Sequence, residues 1–443
     1  MTKIERIYHG DALDVLKTME DNSVDSVVTD PPYGLSKEPD INEVLTKWLA
    51  GEEYDHGHGG FMGNRWDSFV PHPDIWREVY RVLKPGGHAL VFAGTRTQDL
   101  MTISLRLAGF EVRDVIEWIY FSGFPKSHDV SKAFDRRAGA ERKVIGKKLT
   151  GTMAGQSGSK NAENGWKGGQ EYVDITAPAT DLARKWDGWG TALKPAHEPI
   201  IVVRKPLIDA DTGRKLTVVD CVEKYDTGAI NIDASRIGDG SDRSAGGLRQ
   251  EHHAESMTSI APHTKDQKER PTGGRFPANC ITIDSDQFYS KYFNISPPEL
   301  SKKASKKDRN SDWKGEEIDL IERESPSAKN TTTECVTCNK RVGGRQYREC
   351  VEQGHKLREV PINVKNKNHH PTVKPVDLMA WLVRLITPPN GIVLDPFAGS
   401  GSTLVAAKRE GFGFIGVELT EEYIPIIEAR VGIEAQTNEG QAI

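Results

Sequence analysis

The feature that most constrains the fold of this chain is an alternation of short apolar strands and helices at both of its ends, around a long middle without that pattern. Toward the N-terminus, the pattern predicts strands at residues 6–10, 24–29, 88–94 and 112–120. Toward the C-terminus, "GIVLDPFAGSGSTLVAAKREGFGFIGVE" has the pattern of a strand, a glycine loop, a helix and a second strand. Strands that alternate with helices indicate an α/β protein with a mostly parallel sheet.

Helical patterns lie between these strands. The segment "PHPDIWREVYRVLKPGG" has Ile75, Val79 and Val82 at helical spacing and ends in glycines, which predicts a helix that stops there. Another helix is predicted over residues 375–386, with its leucines on one face. We expect this helix to pack the C-terminal strands onto a sheet that the N-terminal strands begin, with a further strand at 198–206.

The composition excludes several classes of protein. The 443 residues are 37% hydrophobic and 28% charged, which is typical of a globular chain. No apolar run approaches the roughly 18 residues that span a bilayer, and no signal-peptide core is present, so the sequence predicts a cytoplasmic protein without membrane contact. Five cysteines without a dense framework suit a reducing compartment. A net charge of −5 argues against a globally basic nucleic-acid binder, although "SKKASKKDR" is locally basic.

The strand at 24–29 ends in an acid, two prolines and an aromatic residue, which are Asp30, Pro31, Pro32 and Tyr33. Consecutive prolines fix φ and remove two backbone donors, so neither a strand nor a helix continues through them. Open α/β sheets bind ligands at the carboxyl ends of their strands. This turn therefore predicts a site that combines a carboxylate, backbone carbonyls and a phenol ring.

A second candidate site is the glycine loop in "VLDPFAGSGST". Gly399 and Gly401 permit a sharp turn after a strand and the close approach of a ligand. Glu418 follows Gly399 by 19 residues, near the spacing at which an acid meets ribose hydroxyls in nucleotide-binding units. The third glycine of the dinucleotide motif and a phosphate-binding lysine are missing, so the predicted ligand is an adenosine compound. An ordinary tight turn is the alternative.

These motifs carry a resemblance to a known family. "DPPY", "LKPGG", "HPTVKP" and "DPFAGSGS", in that order, resemble the DNA amino-methyltransferases that use S-adenosylmethionine. The catalytic motif comes first and the cofactor motif last, which is similar to the permuted β group, with stretches that resemble phage and prophage members. The resemblance covers residues 4–135 and 366–432. It implies a site-specific enzyme that methylates N6 of adenine in double-stranded DNA, with N4 of cytosine as the alternative.

The resemblance also implies roles for individual residues. Asp30 and the carbonyl of Pro31, beside Pro32, accept hydrogen bonds from the exocyclic amine, and Tyr33 stacks on the flipped base. The residues that it assigns to the cofactor are Asp11, Thr372, Lys374, Asp395, Phe397, Gly399, Gly401 and Glu418.

Two of these residues have simple structural alternatives. Asp11 is equally well explained as a helix cap, and Lys374 as a solvated lysine ahead of a helix that begins at proline.

The predicted fold is a Rossmann-like methyltransferase sheet assembled from both chain ends, with an inserted target-recognition region. The predicted parts are a catalytic half at 1–148, a flexible insertion at 149–195, a further strand of the sheet at 196–206, a target-recognition region at 207–365 and a cofactor-binding half at 366–443. The insertion is predicted to be flexible because "GTMAGQSGSKNAENGWKGG" has no apolar periodicity.

A third motif consists of Cys335, Cys338, Cys350 and His355. A C-x2-C pair followed by a cysteine and a histidine fits tetrahedral zinc, and free cysteines in a polar insertion are the alternative. A zinc ion there would stabilise an insertion too polar to fold by itself.

Two other classes of function stay open. One is a DNA-binding protein that keeps the fold without transferring methyl groups, and the intact Asp30, Tyr33, Gly399 and Glu418 argue against it. The other is a methyltransferase of protein or RNA, because a Pro-Pro-Tyr turn also serves amide nitrogens. A cytosine-C5 enzyme is disfavoured, since none of the cysteines follows a proline.

Overall fold

The structure is a computed structural model, and the chain in it divides into two units. One unit contains Met1–Tyr120 and His197–Ile443, and the other contains Phe121–Ala196. The residues that the structure describes are 3–34, 38–57, 68–120, 127–149, 172–236, 276–282, 294–295, 309, 331–335, 340–342, 357–361, 368 and 370–437.

The helices and strands are numbered in chain order. The strands are β1 (Glu5–His9), β2 (Val24–Thr29), β3 (Leu83–Phe92), β4 (Glu111–Ile119), β5 (Val144–Leu149), β6 (Tyr172–Thr176), β7 (His197–Arg204), β8 (Cys280–Thr282), β9 (Asn294–Ile295), β10 (Thr331–Cys335), β11 (Lys340–Val342), β12 (Leu357–Pro361), β13 (Ile392–Asp395), β14 (Gly413–Glu418) and β15 (Gln436–Thr437). The helices are α1 (Ala12–Lys17), α2 (Ile41–Ala50), α3 (Pro73–Val82), α4 (Gln98–Leu107), α5 (Val130–Ala138), α6 (Asp181–Lys185), α7 (Val218–Tyr225), α8 (Val376–Ile386), α9 (Ser402–Glu410) and α10 (Ile424–Val431).

The first unit is built on one sheet with the strand order β15-β1-β14-β13-β2-β3-β7-β4-β8-β9. The strands from β15 to β3 are parallel, whereas β7 runs antiparallel to both β3 and β4. Val27 of β2 pairs with Leu394 of β13, which joins the N-terminal strands to the C-terminal strands. This pairing confirms the predicted α/β sheet assembled from both chain ends.

Both faces of this sheet are covered by helices. Successive residues of a strand point to opposite faces. On β7, Ile200 packs in the core formed with α8, α9 and α10, and Ile201 packs in the core formed with α1, α3 and α4. The predicted leucine face of α8 is buried, and so is nearly all of the rest of that helix. A helix that is apolar all round belongs inside a protein, which explains this burial.

Helix α3 differs in detail from the predicted helix. Trp76, Val79 and Val82 are fully buried, while Ile75 is only half-buried, because the helix turns its tryptophan to the core. The helix ends at Val82, and β3 begins at once instead of after the glycines. The glycine segment is held at the sheet by Lys205, whose carbonyl accepts from Gly86 N at 3.1 Å.

The second unit contains α5, β5, β6 and α6, and it includes part of the segment predicted to be a flexible insertion. β5 and β6 pair antiparallel. The buried carboxylate of Asp135 accepts hydrogen bonds from Arg142, from Ala179 N and from Thr180. These contacts join α5 to the start of α6, and such long-range side-chain partners leave no periodic signal in the sequence.

Candidate active site

The two predicted motifs lie at the same edge of the sheet. Asp30 follows β2, and Asp395 is the last residue of the neighbouring strand β13. Thr29 Oγ1 donates to Asp395 Oδ1 at 2.7 Å, and Phe397 N donates to the same oxygen at 3.1 Å. Burial raises the pKa of Asp395 to about 6, although these hydrogen bonds oppose the shift. Asp395 thus links the ends of the two motif-bearing strands.

Asp30 lies in a largely buried pocket, with 19% of its side chain exposed. Tyr33 Oη donates to Asp30 Oδ1 at 2.7 Å, and the Lys374 ammonium contacts Asp30 Oδ2. Burial raises the pKa of Asp30, and Lys374 only partly offsets that effect. Burial and the nearby carboxylates raise the pKa of Tyr33 well above its usual value, so its hydroxyl stays protonated and donates.

Lys374 is buried, which rules out a solvated lysine. Its Nζ atom contacts Asp30 and lies 3.5 Å from Glu198 Oε2. Burial alone would lower the pKa of Lys374, but the two carboxylates outweigh burial and raise it. Nζ also lies 5.4 Å from the ring centroid of Tyr33 and 5.0 Å from that of Phe92. The lysine is therefore a charged partner of the turn that begins at Asp30.

The glycine loop follows β13 and leads into α9. Gly399 and Gly401 have φ angles of 55° and 76°, in the left-handed region that favours glycine. Glu418 is buried at the end of β14, and its Oε2 accepts from Gly399 N at 2.7 Å. Burial raises the pKa of Glu418, while bonds from Thr420 and Gly399 oppose the shift. The 19-residue spacing thus brings the acid to the loop, as the sequence indicated.

The remaining predicted cofactor residues have varied surroundings. Asp11 is the N-cap of α1 and accepts from Leu13 N at 2.8 Å, so the capping explanation holds for its carboxylate. Thr372 is exposed. Phe397 packs against Trp76, with ring centroids 6.1 Å apart.

The prolines between Asp30 and Tyr33 differ in exposure. Pro31 is buried, and Pro32 is half-buried. Thr97, the residue before α4, stabilises the turn that they form, because its Oγ1 donates to the carbonyl of Tyr33 at 2.6 Å.

Three residues of the site were not identified from the sequence. Glu198 contacts Tyr33 Oη at 3.2 Å and lies beside Lys374. Burial and Glu198 raise the pKa of Tyr120, at the end of β4. His370 packs edge-on against Tyr423, with centroids 4.4 Å apart, and lies beneath the glycine loop. The sequence signal for Glu198 was an acid at the start of the apolar strand "EPIIVV". Only the antiparallel direction of β7 brings this acid to the edge that carries the site.

The side chains of the candidate zinc motif lie outside the part of the chain that the structure describes, and they are Cys335, Cys338, Cys350 and His355. Within the part of the chain that is described, no cluster of histidine, cysteine and acidic side chains could hold a metal ion. In that same part, no helix is long and apolar enough to cross a membrane.

A family model described as DNA methylase, of the N6/N4 methyltransferases, matches residues 24–429. The chain belongs to this family. It is therefore a DNA methyltransferase that uses S-adenosylmethionine, which agrees with the resemblance of its motifs.

Several relatives of this DNA methyltransferase are named type II methyltransferases. M.HindIII of Haemophilus influenzae is 22% identical over 449 residues, which cover 97% of this chain and 96% of that protein. M2.DpnII of Streptococcus pneumoniae is 44% identical over 69 residues, which cover 16% of this chain and 26% of that protein.

Solved structures of DNA methyltransferases are also similar to this one. The PvuII enzyme, described as cytosine-N4-specific, is 14% identical with a TM-score of 0.40 and covers 100% of this chain and 90% of its own. A complex of M1.HpyAVI with S-adenosylmethionine is 14% identical with a TM-score of 0.35 and covers 97% of this chain and 100% of its own.

Proposed function

We propose that this enzyme transfers the methyl group of S-adenosylmethionine to N6 of adenine at a specific sequence in double-stranded DNA. The observation that carries the proposal is the position of Asp30. Its carboxylate lies in a largely buried pocket at the end of β2, and Thr29, the residue before it, is bonded to Asp395 at the start of the glycine loop. An acceptor for an amine therefore lies beside the segment suited to the methyl donor.

Asp30 acts on the nucleophile. An exocyclic amine reacts poorly because its lone pair is delocalised into the ring. Asp30 and the carbonyl of Pro31 accept its N–H bonds, which favours a pyramidal nitrogen whose lone pair faces the methyl group. The nitrogen lone pair bonds to the methyl carbon as the carbon–sulfur bond breaks, and the electron pair of that bond stays on the sulfur, which becomes a neutral thioether. The methylated nitrogen then loses one proton to solvent water. This chemistry needs no covalent enzyme intermediate.

Tyr33 holds the base outside the duplex. The amine cannot be reached inside a stacked helix, so the base is extruded at a cost of a few kcal/mol. Stacking on an aromatic ring offsets about 1–3 kcal/mol of this cost. Tyr33 is half-buried, and the hydrogen bond from its hydroxyl to Asp30 fixes the ring next to the carboxylate.

The glycine loop fits the methyl donor. A Cβ atom on Gly399 would lie 3.0 Å from His370 Nε2, so the loop backbone packs this closely on His370 only because the residue is glycine. Asp395, Phe397, Gly399 and Gly401 surround the methionine part, and Glu418 binds the ribose. The donor supplies an electrophilic methyl group. We also assign Asp11, Thr372 and Lys374 to the cofactor, and Lys374 contacts Asp30 at the same time.

The parts of the chain have separate tasks in this proposal. The halves at 1–148 and 366–443, with the strand at 196–206, perform catalysis and bind the cofactor. The region at 207–365 reads the DNA sequence, and the segment at 149–195 is an insertion between strands of the sheet.

The experiment is incubation with methyl-labelled S-adenosylmethionine and, separately, duplex DNA, single-stranded DNA, RNA and a protein mixture. We expect label in duplex DNA with wild type and none with Asp30→Asn. Label in RNA or protein alone would contradict the proposal, and so would labelling of DNA that is independent of Asp30. Cofactor binding without any transfer would favour a silent DNA-binding protein.

A further inference from the structure

Glu198 lies at the edge of the sheet that carries the site, although no recognised motif contains it. Phe92, the last residue of β3, pairs with Ile200 of the antiparallel strand β7. The residues before Ile200 therefore extend past the carboxyl end of β3. This places Glu198 at the same edge as Asp30, with 14% of its side chain exposed.

Glu198 and Asp30 share the same two hydrogen-bond donors. Tyr33 Oη lies 2.7 Å from Asp30 Oδ1 and 3.2 Å from Glu198 Oε2. Lys374 Nζ contacts Asp30 Oδ2 and lies 3.5 Å from the same Glu198 oxygen. A hydroxyl carries one proton, so Tyr33 donates fully to only one carboxylate at a time. The two carboxylates therefore compete for both donors.

The charges restrict how this competition is resolved. Lys374 is buried, with 9% of its side chain exposed, and a buried ammonium without a carboxylate partner is strongly destabilised. Lys374 therefore leaves Asp30 only if another carboxylate receives it. Glu198, already within 4 Å, is such a carboxylate.

We propose that Glu198 is a positioning residue for methyl transfer, which receives the Lys374 ammonium and the Tyr33 hydroxyl so that Asp30 turns its oxygens to the target amine. This inference rests on the proposed role of Asp30. Without the negative charge at Glu198, both donors stay on Asp30 and compete with the N–H bonds of the base. The rate of the chemical step then falls, while the glycine loop is untouched.

The arrangement also fixes a pH dependence. The groups that face Asp30 are Tyr33 of the same turn, Lys374 ahead of α8, Glu198 of β7 and Asp395 of β13. Burial raises the pKa of Asp30, Lys374 lowers it, and the like charge of Glu198 raises it. Removal of that like charge lowers the pKa of Asp30. Activity that needs an ionised Asp30 then persists to lower pH.

The test compares DNA methylation by wild type, Glu198→Gln and Glu198→Asp across the acid limb of the pH profile. For Glu198→Gln we expect kcat to fall about tenfold to a hundredfold, the range for losing a charged hydrogen-bond partner. KM for DNA and Kd for the cofactor stay unchanged, and the acid limb moves to lower pH. Glu198→Asp keeps the charge and recovers part of the rate. An unchanged kcat, or an acid limb that stays or moves to higher pH, overturns the inference.

Glu111→Gln is the matched control, because it makes the same chemical change at the far end of the β4–β7 pair. Glu111 bonds to Arg204 there at 2.7 Å, and its replacement should leave kcat and the acid limb unchanged. If it lowers kcat as much as Glu198→Gln does, the loss at Glu198 reflects the strand pair and the inference fails.

A second measurement does not depend on turnover. Carbon-13 NMR of carboxyl-labelled aspartate follows the titration of Asp30, whose signal is identified by its loss in Asp30→Asn. We expect a lower pKa for Asp30 in Glu198→Gln than in wild type, and an equal or higher pKa overturns the inference. Wild type that methylates no DNA counts against the proposed function alone, and this titration still decides the role of Glu198.

Discussion

Asp395→Asn tests whether the buried acid that joins the two motif-bearing strands is held at a cost to stability. Both Thr29 Oγ1 and Phe397 N donate to the same oxygen, Oδ1, so an asparagine keeps both bonds. The Thr403 side chain also bonds to the carboxylate, and its hydroxyl can accept from the asparagine amide instead of donating. The substitution therefore removes the ionisation of Asp395 and keeps a hydrogen-bonding side chain of nearly the same shape.

The size of this stability cost follows from the shifted pKa of Asp395. Burial raises the pKa of Asp395 to about 6 in the folded protein, whereas the pKa of an unfolded aspartate lies near its ordinary value of 3.8. Between these values the folded state binds more protons than the unfolded state, so the contribution of Asp395 to stability falls as the pH rises. A difference of about two pKa units corresponds to about 3 kcal/mol in total, of which about 2 kcal/mol is lost between about pH 4.5 and pH 7.

The assay is urea unfolding of cofactor-free wild type and Asp395→Asn at these two pH values, followed by tryptophan fluorescence. We expect wild type, relative to the variant, to be less stable at pH 7 than at pH 4.5 by about 2 kcal/mol. Asp99→Asn, at an exposed position in the first turn of α4, controls for the loss of one negative charge. A wild-type-to-variant difference that is the same at both pH values, or that changes in the opposite direction, would refute the reasoning.

Substitutions at three residues of the site, with their controls, test it further. Asp30→Ala should abolish methyl transfer and leave cofactor affinity nearly intact by calorimetry; an equal loss of cofactor binding would show that the carboxylate is misassigned. Gly399→Val should abolish cofactor binding, because φ at this position is 55° and a Cβ atom would lie 3.0 Å from His370. The control Gly51→Ala, at a φ of 75° with no atom near the added Cβ, should leave cofactor binding intact. Normal cofactor binding by Gly399→Val would show that the loop is only a structural turn. Tyr33→Ala should weaken methyl transfer by about 1–3 kcal/mol in single-turnover rates, and Tyr33→Phe, which keeps the ring, by less. Equal losses in the two variants would show that the hydroxyl, and not ring stacking, causes the effect.

The central part of the sheet could be predicted closely because β2, β3 and β14 are buried on both faces and so appear as apolar runs. β2 lies at Val24–Thr29, the range that the sequence predicted, and α8 begins within one residue of the predicted helix. The direction of β7 could not be predicted, since an apolar strand has the same pattern whether its neighbours run parallel or antiparallel. That direction determines where Glu198 lies.

The parts of the site that depend on local backbone geometry could be predicted from the sequence. The turn at Asp30 follows from the backbone restrictions of two consecutive prolines. The spacing from Gly399 to Glu418 follows from one loop–helix–strand unit, which contains α9 and β14. The position of Lys374 was not predictable, because its two partners lie on β7 and after β2, far away in the chain. A buried lysine and a solvated lysine have the same local sequence, and only the fold distinguishes them.

In the proposed reaction, Asp30 directs a methyl group to N6 of adenine. The measurement that tests it most directly is nuclease digestion of DNA methylated by this enzyme, followed by mass spectrometry of the nucleosides. We predict N6-methyladenine with wild type and no methylated nucleoside with Asp30→Ala. N4-methylcytosine without N6-methyladenine would contradict the adenine assignment, and N6-methyladenine formed by Asp30→Ala would contradict the role of the carboxylate.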